Sequence, residues 1–568
     1  MTKKQHPARR PSPSGKSPAD APASESPASP GGGADAWLPW ALAVLAFLLY
    51  TTGLRNGMVA MDDHSATVNN PAVREFDLFG RFNLGMYAPV TWAGYAFVYA
   101  LGKGNPYGYH LLSALVHALN VVLVYRVFRH LMPGLGQAAV VALLFALHPL
   151  QVEAVSWIAG FSTPLFSLFC LLSLLWYLPY AKGEAGASRL WVSAFFFLLA
   201  CLSKSAAAVL PLVLLVADGW LGRSFSLRLL TEKAAFFAIA LGFGALTLYS
   251  RTQAGHTGTE TAFSLSDRFW MVAHTLPFYW GKILWPSGLS IWYPFEKVNG
   301  SWPLAYLLAP VAVLALGGLA WRFRRSLPVL WWGLLWYLAH ISLSLPWATF
   351  GTFELRSDRY NYLAALGVFA VLAALPAWVA ARRPAWATAA WALLLIFAAG
   401  CAVQSVRRIG DWKDTLTLLN KAIATEGDNF GKAYLWRGME YGDMQKRDAA
   451  IEDFNRAIAI NPALTEAYKY RGGMLGMSGK HEQALADLNV YLEKNPDDAE
   501  YRFNRGIALR KLGRPREAIA DFDRTLQLRP DFSPAYRARA NAHADLGDSE
   551  KAQADMAEFE RRSGTAKK

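Results

Sequence analysis

Eleven apolar segments between residues 36 and 404 restrict the fold of this chain more than any other feature. At a rise of 1.5 Å per residue, a helix of this kind can cross about 30 Å of hydrocarbon. Inside lipid the backbone amides of a segment must be satisfied within the protein, so each segment is predicted to be a transmembrane helix. The predicted spans are 36–54, 108–130, 136–151, 163–180, 189–203, 206–220, 234–250, 304–321, 328–346, 360–381 and 385–404.

A twelfth apolar stretch, residues 267–286, contains Arg268, His274, Pro277 and Lys282. These residues favour a re-entrant segment or a helix lying on the membrane surface over a crossing. Eleven crossings place the C-terminal region on the same side as the first loop. Twelve crossings would place it with the N-terminal tail, so the two counts predict opposite locations for that region.

The formal charge of +14 comes mainly from the membrane region. From residue 405 onward there are 28 Lys and Arg against 26 Asp and Glu, so that part contributes an excess of only two. Basic residues in short loops indicate the cytoplasmic side. The charge therefore reports topology, and no nucleic-acid partner is predicted. The basic inner loops contain Arg126, Arg129, Lys182, Arg189, Arg223, Arg228, Lys233, Arg322, Arg324, Arg325, Arg382 and Arg383.

Composition divides the chain into three parts. Residues 1–35 are rich in Pro, Ser, Ala and Gly and have no aromatic residue, which predicts a disordered cytoplasmic tail. Residues 36–404 form the predicted multi-span membrane domain. Residues 405–568 are charged and periodic, which predicts a soluble domain. The predicted fold class is therefore all-α.

A period of 34 residues runs through the C-terminal part, with small, large and proline positions in a constant order. This pattern resembles the tetratricopeptide repeat, a helical hairpin that buries its apolar face only against a neighbour. It predicts an α-solenoid of four repeats beginning near residues 431, 465, 499 and 533, preceded by a half-repeat helix at 411–426. The positions in register are Gly438, Gly472 and Gly506; Ala450, Ala484, Ala518 and Ala552; Phe454, Leu488, Phe522 and Met556; and Pro462, Pro496 and Pro530.

Two ladders of opposite charge follow the same period. Arg437, Arg471, Arg505 and Arg539 form one, and Asp453, Asp487, Asp521 and Asp555 form the other. Equal numbers of both signs favour pairing of each Arg with the Asp sixteen residues later in its own hairpin. A charged groove that captures an extended peptide is the alternative.

Ionisable residues at the ends of the spans gather on the outer side of the predicted topology. Such residues are costly near lipid and are therefore candidate functional groups. Asp62 and Asp63 lie on the first outer loop, and Lys204 lies in the turn between the fifth and sixth spans. The other members of the set are His148, Glu153, Arg251, His256, Glu260, Glu354, Arg356, Asp358 and Arg359.

Five blocks of sequence surround these residues: MDDHSATVNNPAV, YAPVTWAGYAFVYALGKGNPYGYHLLSALVHALN, HPLQVEAVSWIAG, LSKSAAAVLPLVLLVADGW and ELRSDRYNYLAALG. In this order, the blocks resemble the transmembrane and tetratricopeptide-repeat O-mannosyltransferases, which belong to the C-type glycosyltransferases. The resemblance extends from about residue 36 to the end.

The resemblance implies the C-type glycosyltransferase fold and a sugar donor linked to polyprenyl phosphate. It implies that Asp62 is the catalytic base and that Asp63 supports it. A leaving phosphate needs fixed cations and hydrogen-bond donors. The candidates for that role are Lys204, Arg359, Arg356, Tyr360 and Tyr362, and the candidate contacts to sugar or acceptor are Glu153 and His148.

The chain departs from the family pattern at four positions. Gln151 stands where the family often has His, Phe161 where it often has Arg, Ser357 where it often has Ala, and Asp358 where it often has Glu. Asp62, Asp63 and His64 could ligate a divalent cation, but adjacent residues rarely chelate one ion well, so no metal site is predicted. The only small-molecule partner expected is the lipid-linked sugar.

Three functions are compatible with this sequence. The first is a membrane glycosyltransferase whose repeats recruit a protein or peptide acceptor, and the second is a non-catalytic repeat scaffold anchored in the membrane. A transporter is disfavoured because ionisable groups are scarce near the middle of the spans. The compact arrangement with few repeats leads us to expect a bacterial inner membrane, with the repeats outside the cytoplasm.

Overall fold

In the computed structural model, the described residues are 2, 33–80, 82, 86–132, 134–253, 263–295, 297, 300–347, 356–427 and 430–563. The expected disordered tail, residues 1–35, lies almost entirely outside them. The described residues form helices joined by short turns and 3₁₀ segments, as the all-α prediction requires. A membrane domain leads through one long helix into a solenoid of helical hairpins.

The membrane domain contains seventeen helices among its described residues. Several begin where the sequence supplies a cap, as where the Asn105 side chain accepts from the Tyr107 amide at the start of the fifth helix. The helices are α1 (Gly33–Tyr50), α2 (Asp63–Ala66), α3 (Pro71–Arg74), α4 (Pro89–Gly102), α5 (Pro106–Leu131), α6 (Leu135–Leu147), α7 (Val152–Ser156), α8 (Ser162–Ala181), α9 (Ser188–Ser203), α10 (Leu210–Trp220), α11 (Leu227–Thr231), α12 (Ala234–Gln253), α13 (Leu265–Leu284), α14 (Leu304–Phe323), α15 (Pro328–Ile341), α16 (Ala365–Arg382) and α17 (Ala387–Asp411).

Within the described residues, seven helical segments are long and apolar enough to cross a membrane, or eight if the bent pair Leu135–Leu147 and Pro149–Ser156 is one span. Every one of the eleven predicted spans overlaps a helix, but α6, α9, α10 and α15 have only 11 to 16 residues. Helix α6 ends before His148 and Pro149, and helix α9 ends before Lys204. The stretch predicted to be re-entrant or surface-lying is the 20-residue helix α13, and the sequence analysis did not predict α4.

Contacts between distant segments show which ends of the domain share a side. The Gly57 amide donates to the Lys413 carbonyl at 2.8 Å, and the Asn56 amide group donates to the Ile409 carbonyl at 3.0 Å. The first loop and the start of the repeats therefore lie close together, as expected for eleven crossings, and the number of crossings stays a prediction. At the other end, Asp35 accepts from Arg129 at 2.9 Å.

The solenoid consists of one leading helix and four hairpins, as the period predicts. The helices are α18 (Thr415–Glu426), α19 (Gly431–Asp443), α20 (Arg447–Ile460), α21 (Thr465–Met477), α22 (His481–Lys494), α23 (Ala499–Lys511), α24 (Pro515–Leu528), α25 (Ser533–Asp545) and α26 (Ser549–Ser563). Close packing explains why glycine recurs at one position of the repeat. A Cβ atom added at Gly438 would lie 2.7 Å from Phe454, and one at Gly506 would lie 2.6 Å from Phe522. Each small residue thus makes room for the large residue of its own hairpin.

The charged ladders pair within the hairpins. Each ladder arginine donates two hydrogen bonds to the aspartate sixteen residues later, as Arg471 does to Asp487 at 2.7 Å from both Nε and Nη2. The third donor crosses to the preceding helix, where Arg471 reaches Asn455 at 2.7 Å. The prediction of pairing within each hairpin is confirmed, and the same arginines also tie neighbouring repeats together.

Helix α17 passes through residue 404, so the predicted boundary between the two domains lies inside a helix. Leu418, Leu419 and Ala422 of α18 belong to the same buried apolar cluster as residues of the membrane domain. The ring of Trp292 also lies 5.5 Å from that of Phe430, between centroids. The first part of the solenoid is therefore packed into the membrane domain.

Candidate functional site

The first outer loop turns its two adjacent carboxylates in different directions. Asp63 is buried, and its two oxygens accept from the backbone amides of Val59 at 2.7 Å and Ala159 at 2.8 Å. Asp62 is half-buried. Asp63 thus joins the loop to the segment after α7, while Asp62 keeps some access to solvent.

Electrostatics distinguish the two carboxylates further. Burial raises the pKa of Asp63 to about 7, and the two amide donors act in the opposite direction. Burial also raises the pKa of Asp62, and the nearby Arg359 guanidinium lowers it. A half-buried carboxylate with a raised pKa is a better proton acceptor than an exposed one.

Glu153, on α7, holds the segment that carries Arg359. Its carboxylate is fully buried and accepts from the Ser357 hydroxyl, from the Arg359 amide at 3.3 Å and from the Arg359 guanidinium. The sequence analysis assigned Glu153 to a sugar or acceptor contact. The structure places it behind Arg359, because a carboxylate with three internal donors and no exposed surface is not presented to a ligand.

Arg359 and Lys204 form a pair of cations beside Glu153. The Lys204 ammonium group donates to the Thr163 hydroxyl at 2.8 Å, in the break between α9 and the following 3₁₀ segment. Burial lowers the pKa of Lys204 to about 7, Arg359 lowers it further, and Glu153 acts in the opposite direction. Arg359 and Lys204 thus supply two cationic donors close together, the kind of group that stabilises a phosphate.

Aromatic rings hold the Arg359 guanidinium in place. Its central carbon lies 4.9 Å from the centre of the Trp157 ring and 5.2 Å from that of Tyr360. Such stacking is favourable for a delocalised cation and fixes its plane. Tyr360 is half-buried beside it, which leaves its predicted role as a hydrogen-bond donor a prediction.

Three other predicted site residues use their polar atoms in hydrogen bonds within the protein. Arg356 is buried against the rings of two phenylalanines and donates to the carbonyls of Tyr293 and Pro294. The Tyr362 hydroxyl contacts His117 and Asn120 on α5. His148 is fully buried, with its ring nitrogens against the Ile283 carbonyl at 2.9 Å and the Leu150 amide at 3.3 Å.

Internal hydrogen bonds thus occupy polar atoms of all three side chains. The predicted phosphate contacts of Arg356 and Tyr362 and the predicted sugar contact of His148 stay predictions. No group of three or more His, Cys, Asp or Glu side chains within the described ranges is arranged to hold a metal ion.

Four residues near the site were not identified from the sequence as functional: Thr163, Ser357, Trp157 and Arg408. Ser357 was noticed only as a departure from the family pattern, and Trp157 lies inside the HPLQVEAVSWIAG block. Nothing in the sequence pairs Arg408 with Asp358, since the two residues are far apart in the chain.

Comparisons with known proteins identify the repeats and a group of similar proteins. Family models described as tetratricopeptide repeat match residues 431–464, 475–531 and 503–564. The Drosophila melanogaster protein O-mannosyl-transferase Tmtc2 is 30% identical over 261 residues, which cover 42% of this chain and 27% of the relative. The corresponding Tmtc1 is 27% identical over 297 residues, 45% of this chain and 34% of the relative. The chain is similar to protein O-mannosyl-transferases.

Human TMTC2 shares 36% identity over 106 residues, which are 18% of this chain and 13% of that protein. The chain therefore spans about a third or less of the length of these relatives. Among solved structures, MamA from AMB-1 is 26% identical and covers 26% of this chain and 86% of its own, with a TM-score of 0.25. The predicted resemblance to the O-mannosyltransferases with tetratricopeptide repeats is confirmed by these relatives and by the repeats.

Proposed function

We propose that the protein is a membrane glycosyltransferase that moves a sugar from a polyprenyl-phosphate carrier to a hydroxyl group of an acceptor. The observation that carries the proposal is that Arg359, held by the buried carboxylate of Glu153, lies close enough to interact electrostatically with both Asp62 and Lys204. These three groups lie on loops that are far apart in the chain. A carboxylate and two cations at one place suit a reaction that removes a proton and releases a phosphate.

In the proposed reaction, Asp62 accepts the proton of the acceptor hydroxyl group. The oxygen of that hydroxyl group forms a bond to the anomeric carbon of the sugar. The bond from that carbon to the carrier phosphate breaks, and its electrons remain on the phosphate. Arg359 and Lys204 neutralise the charge that develops there. Asp63 acts indirectly by fixing the loop that presents Asp62.

The relatives named as protein O-mannosyl-transferases support mannose as the sugar and a protein as the acceptor. We propose serine or threonine as the residue that supplies the acceptor hydroxyl. In this proposal the repeats recruit the acceptor or a partner protein, since solenoids of this kind offer extended concave surfaces. The active face is the non-cytoplasmic side of a bacterial inner membrane, with the N-terminus in the cytoplasm.

The test is transfer of radiolabelled mannose from polyprenyl-phosphate mannose to acceptor protein by the full chain in lipid nanodiscs. We expect Asp62→Asn to lower kcat by about 10² to 10⁴, the range that loss of a general base usually costs. His64→Asn, at the exposed neighbouring position, is the matched control and should retain activity. Full transfer by Asp62→Asn would contradict the proposal and favour a non-catalytic scaffold.

A further inference from the structure

The segment 408–415, which we call the repeat root, contains the end of α17 and the start of α18. It contacts the two loops that carry Asp62 and Arg359, and it also contacts the segment that carries Trp157. At the first loop, the Asn56 side chain donates to the Ile409 carbonyl, the Gly57 amide to the Lys413 carbonyl, and the Ala60 amide to the Thr415 hydroxyl at 3.0 Å. The last of these contacts lies two residues from Asp62.

The second contact is aromatic. The ring of Trp412 stacks on that of Trp157, with centroids 5.9 Å apart and planes inclined by 28°. Trp157 is also the ring that lies beside the Arg359 guanidinium. Trp412 is fully buried, so its position is determined by packing. A displacement of the repeat root would move the surface against which Arg359 rests.

The third contact is a buried ion pair. Arg408 is 3% exposed and Asp358 fully buried, and the nearest nitrogen and oxygen of the pair are 3.7 Å apart. The other Asp358 oxygen accepts from the Tyr293 hydroxyl at 2.7 Å. Asp358 immediately precedes Arg359 in the chain. The Arg408 charge therefore compensates the carboxylate next to the proposed phosphate-binding arginine.

Breaking such a pair is costly because it leaves an uncompensated charge in a buried place. Without Arg408, the Asp358 carboxyl must take up a proton or draw another cation towards itself. Lys282 and Arg356, together with Arg408, are the cations around this carboxylate and its tyrosine partner. Either response changes the segment that positions Arg359.

We propose that Arg408 and Trp412 are positioning residues for the transfer site, acting through Asp358 and Trp157 on Arg359. The inference rests on the proposed function for its kinetic meaning. It makes the start of the repeat array part of the scaffold of the site, so that the repeats and the donor-binding loops are mechanically joined. The geometry that supports it does not depend on the identity of the sugar.

The experiment compares four forms of the full chain in nanodiscs, with polyprenyl-phosphate mannose as the donor. Arg408→Gln should lower kcat/KM for the donor by about tenfold, mainly through KM, because the proposed phosphate contact is displaced. Arg408→Gln combined with Asp358→Asn should recover part of that loss, since the fully buried carboxylate is then absent. The half-buried Asp411, which accepts from Arg408 at 3.3 Å, loses that partner equally in both variants. Arg407→Gln changes the exposed neighbouring arginine and should match the wild type.

Hydrogen exchange of the same proteins without donor provides a readout independent of turnover. Arg408→Gln should exchange faster at 56–63 and 357–361, while Arg407→Gln should not. If the wild type transfers no sugar, the proposed function fails, but this comparison still tests the positioning role. The inference is overturned if Arg408→Gln and Arg407→Gln are equal in exchange, or if the double variant loses as much donor kcat/KM as Arg408→Gln alone.

Discussion

At the scale of single residues, the proposed site separates groups that face a ligand from groups that hold them. Asp62, Lys204 and Arg359 retain partial exposure, whereas Asp63, Glu153 and Asp358 are buried and accept internal hydrogen bonds. Acidic residues at a membrane surface look alike in a sequence. Only their burial and partners show which of them are free to react.

Lys204 leads to a prediction about pH. Because burial lowers its pKa to about 7, the ammonium group loses its proton as the pH rises through that value, and its attraction for phosphate is lost. We expect kcat/KM for the donor to fall above about pH 7. In Lys204→Arg the positive charge persists throughout this pH range, so the decrease in kcat/KM above about pH 7 should disappear. A fall of equal size in both proteins would show that another group is responsible.

The acid side of the same profile reports on Asp62. Its raised pKa means that the carboxylate forms only above the usual range of aspartate, about 3.9. The rate should therefore rise with pH through a value above that range. This rise should be absent from the residual activity of Asp62→Asn, measured at saturating donor. Persistence of the rise in that variant would exclude Asp62 as the base.

At the scale of elements, the backbones of α15 and α16 approach each other closely where the two helices cross. A Cβ atom added at Gly367 would lie 2.2 Å from the Gly333 carbonyl oxygen, and one added at Gly333 would lie 2.5 Å from that of Gly367. Small residues allow helices in membranes to pack this closely. Helix α16 follows directly from the segment that contains Arg359, so the crossing also fixes where that segment begins.

Substitution at this crossing should therefore be costly. Gly367→Ala forces backbone against backbone, and we expect a loss of about 1–3 kcal/mol in the free energy of unfolding. Gly400→Ala in α17 is the control, because nothing lies within 4 Å of the added atom. Thermal unfolding in detergent compares the two. An equal Tm for both variants would mean that the helices can separate without cost.

At the scale of the whole molecule, the first repeats pack against the membrane domain and share its buried core. Helix α18 contributes Leu418 and Leu419 to the membrane domain's buried cluster, and Trp436 of α19 lies near Trp292. The solenoid beyond the first hairpins is held mainly by contacts between neighbouring repeats. The beginning and the end of the array should therefore respond differently to truncation.

Two truncations test this difference. A chain ending at residue 411 loses α18 and exposes the apolar surface of the membrane domain against which α18 packs. We therefore expect a lower Tm and aggregation on size-exclusion chromatography. A chain ending at residue 494 keeps the first two hairpins and should retain the donor KM of the full chain, while transfer to a protein acceptor falls. Equal behaviour of the two truncations would contradict a shared core.

How far the sequence predicts this protein depends on whether the signal is local. The lengths of the apolar segments determined the helical class. The 34-residue period determined the number of hairpins and their starting points at 431, 465, 499 and 533, because the pattern of each hairpin lies within its own 34 residues. The ladder pairing followed from its sixteen-residue spacing for the same reason.

The tertiary structure decided what depends on distant contacts. It decided that Glu153 holds Arg359, that Arg356 and Tyr362 are turned inward, and that Arg408 meets Asp358. It also placed the first loop against the repeat root. The physical reason is that burial and charge pairing are properties of a folded neighbourhood, and a sequence pattern names only the residues that can take part in it.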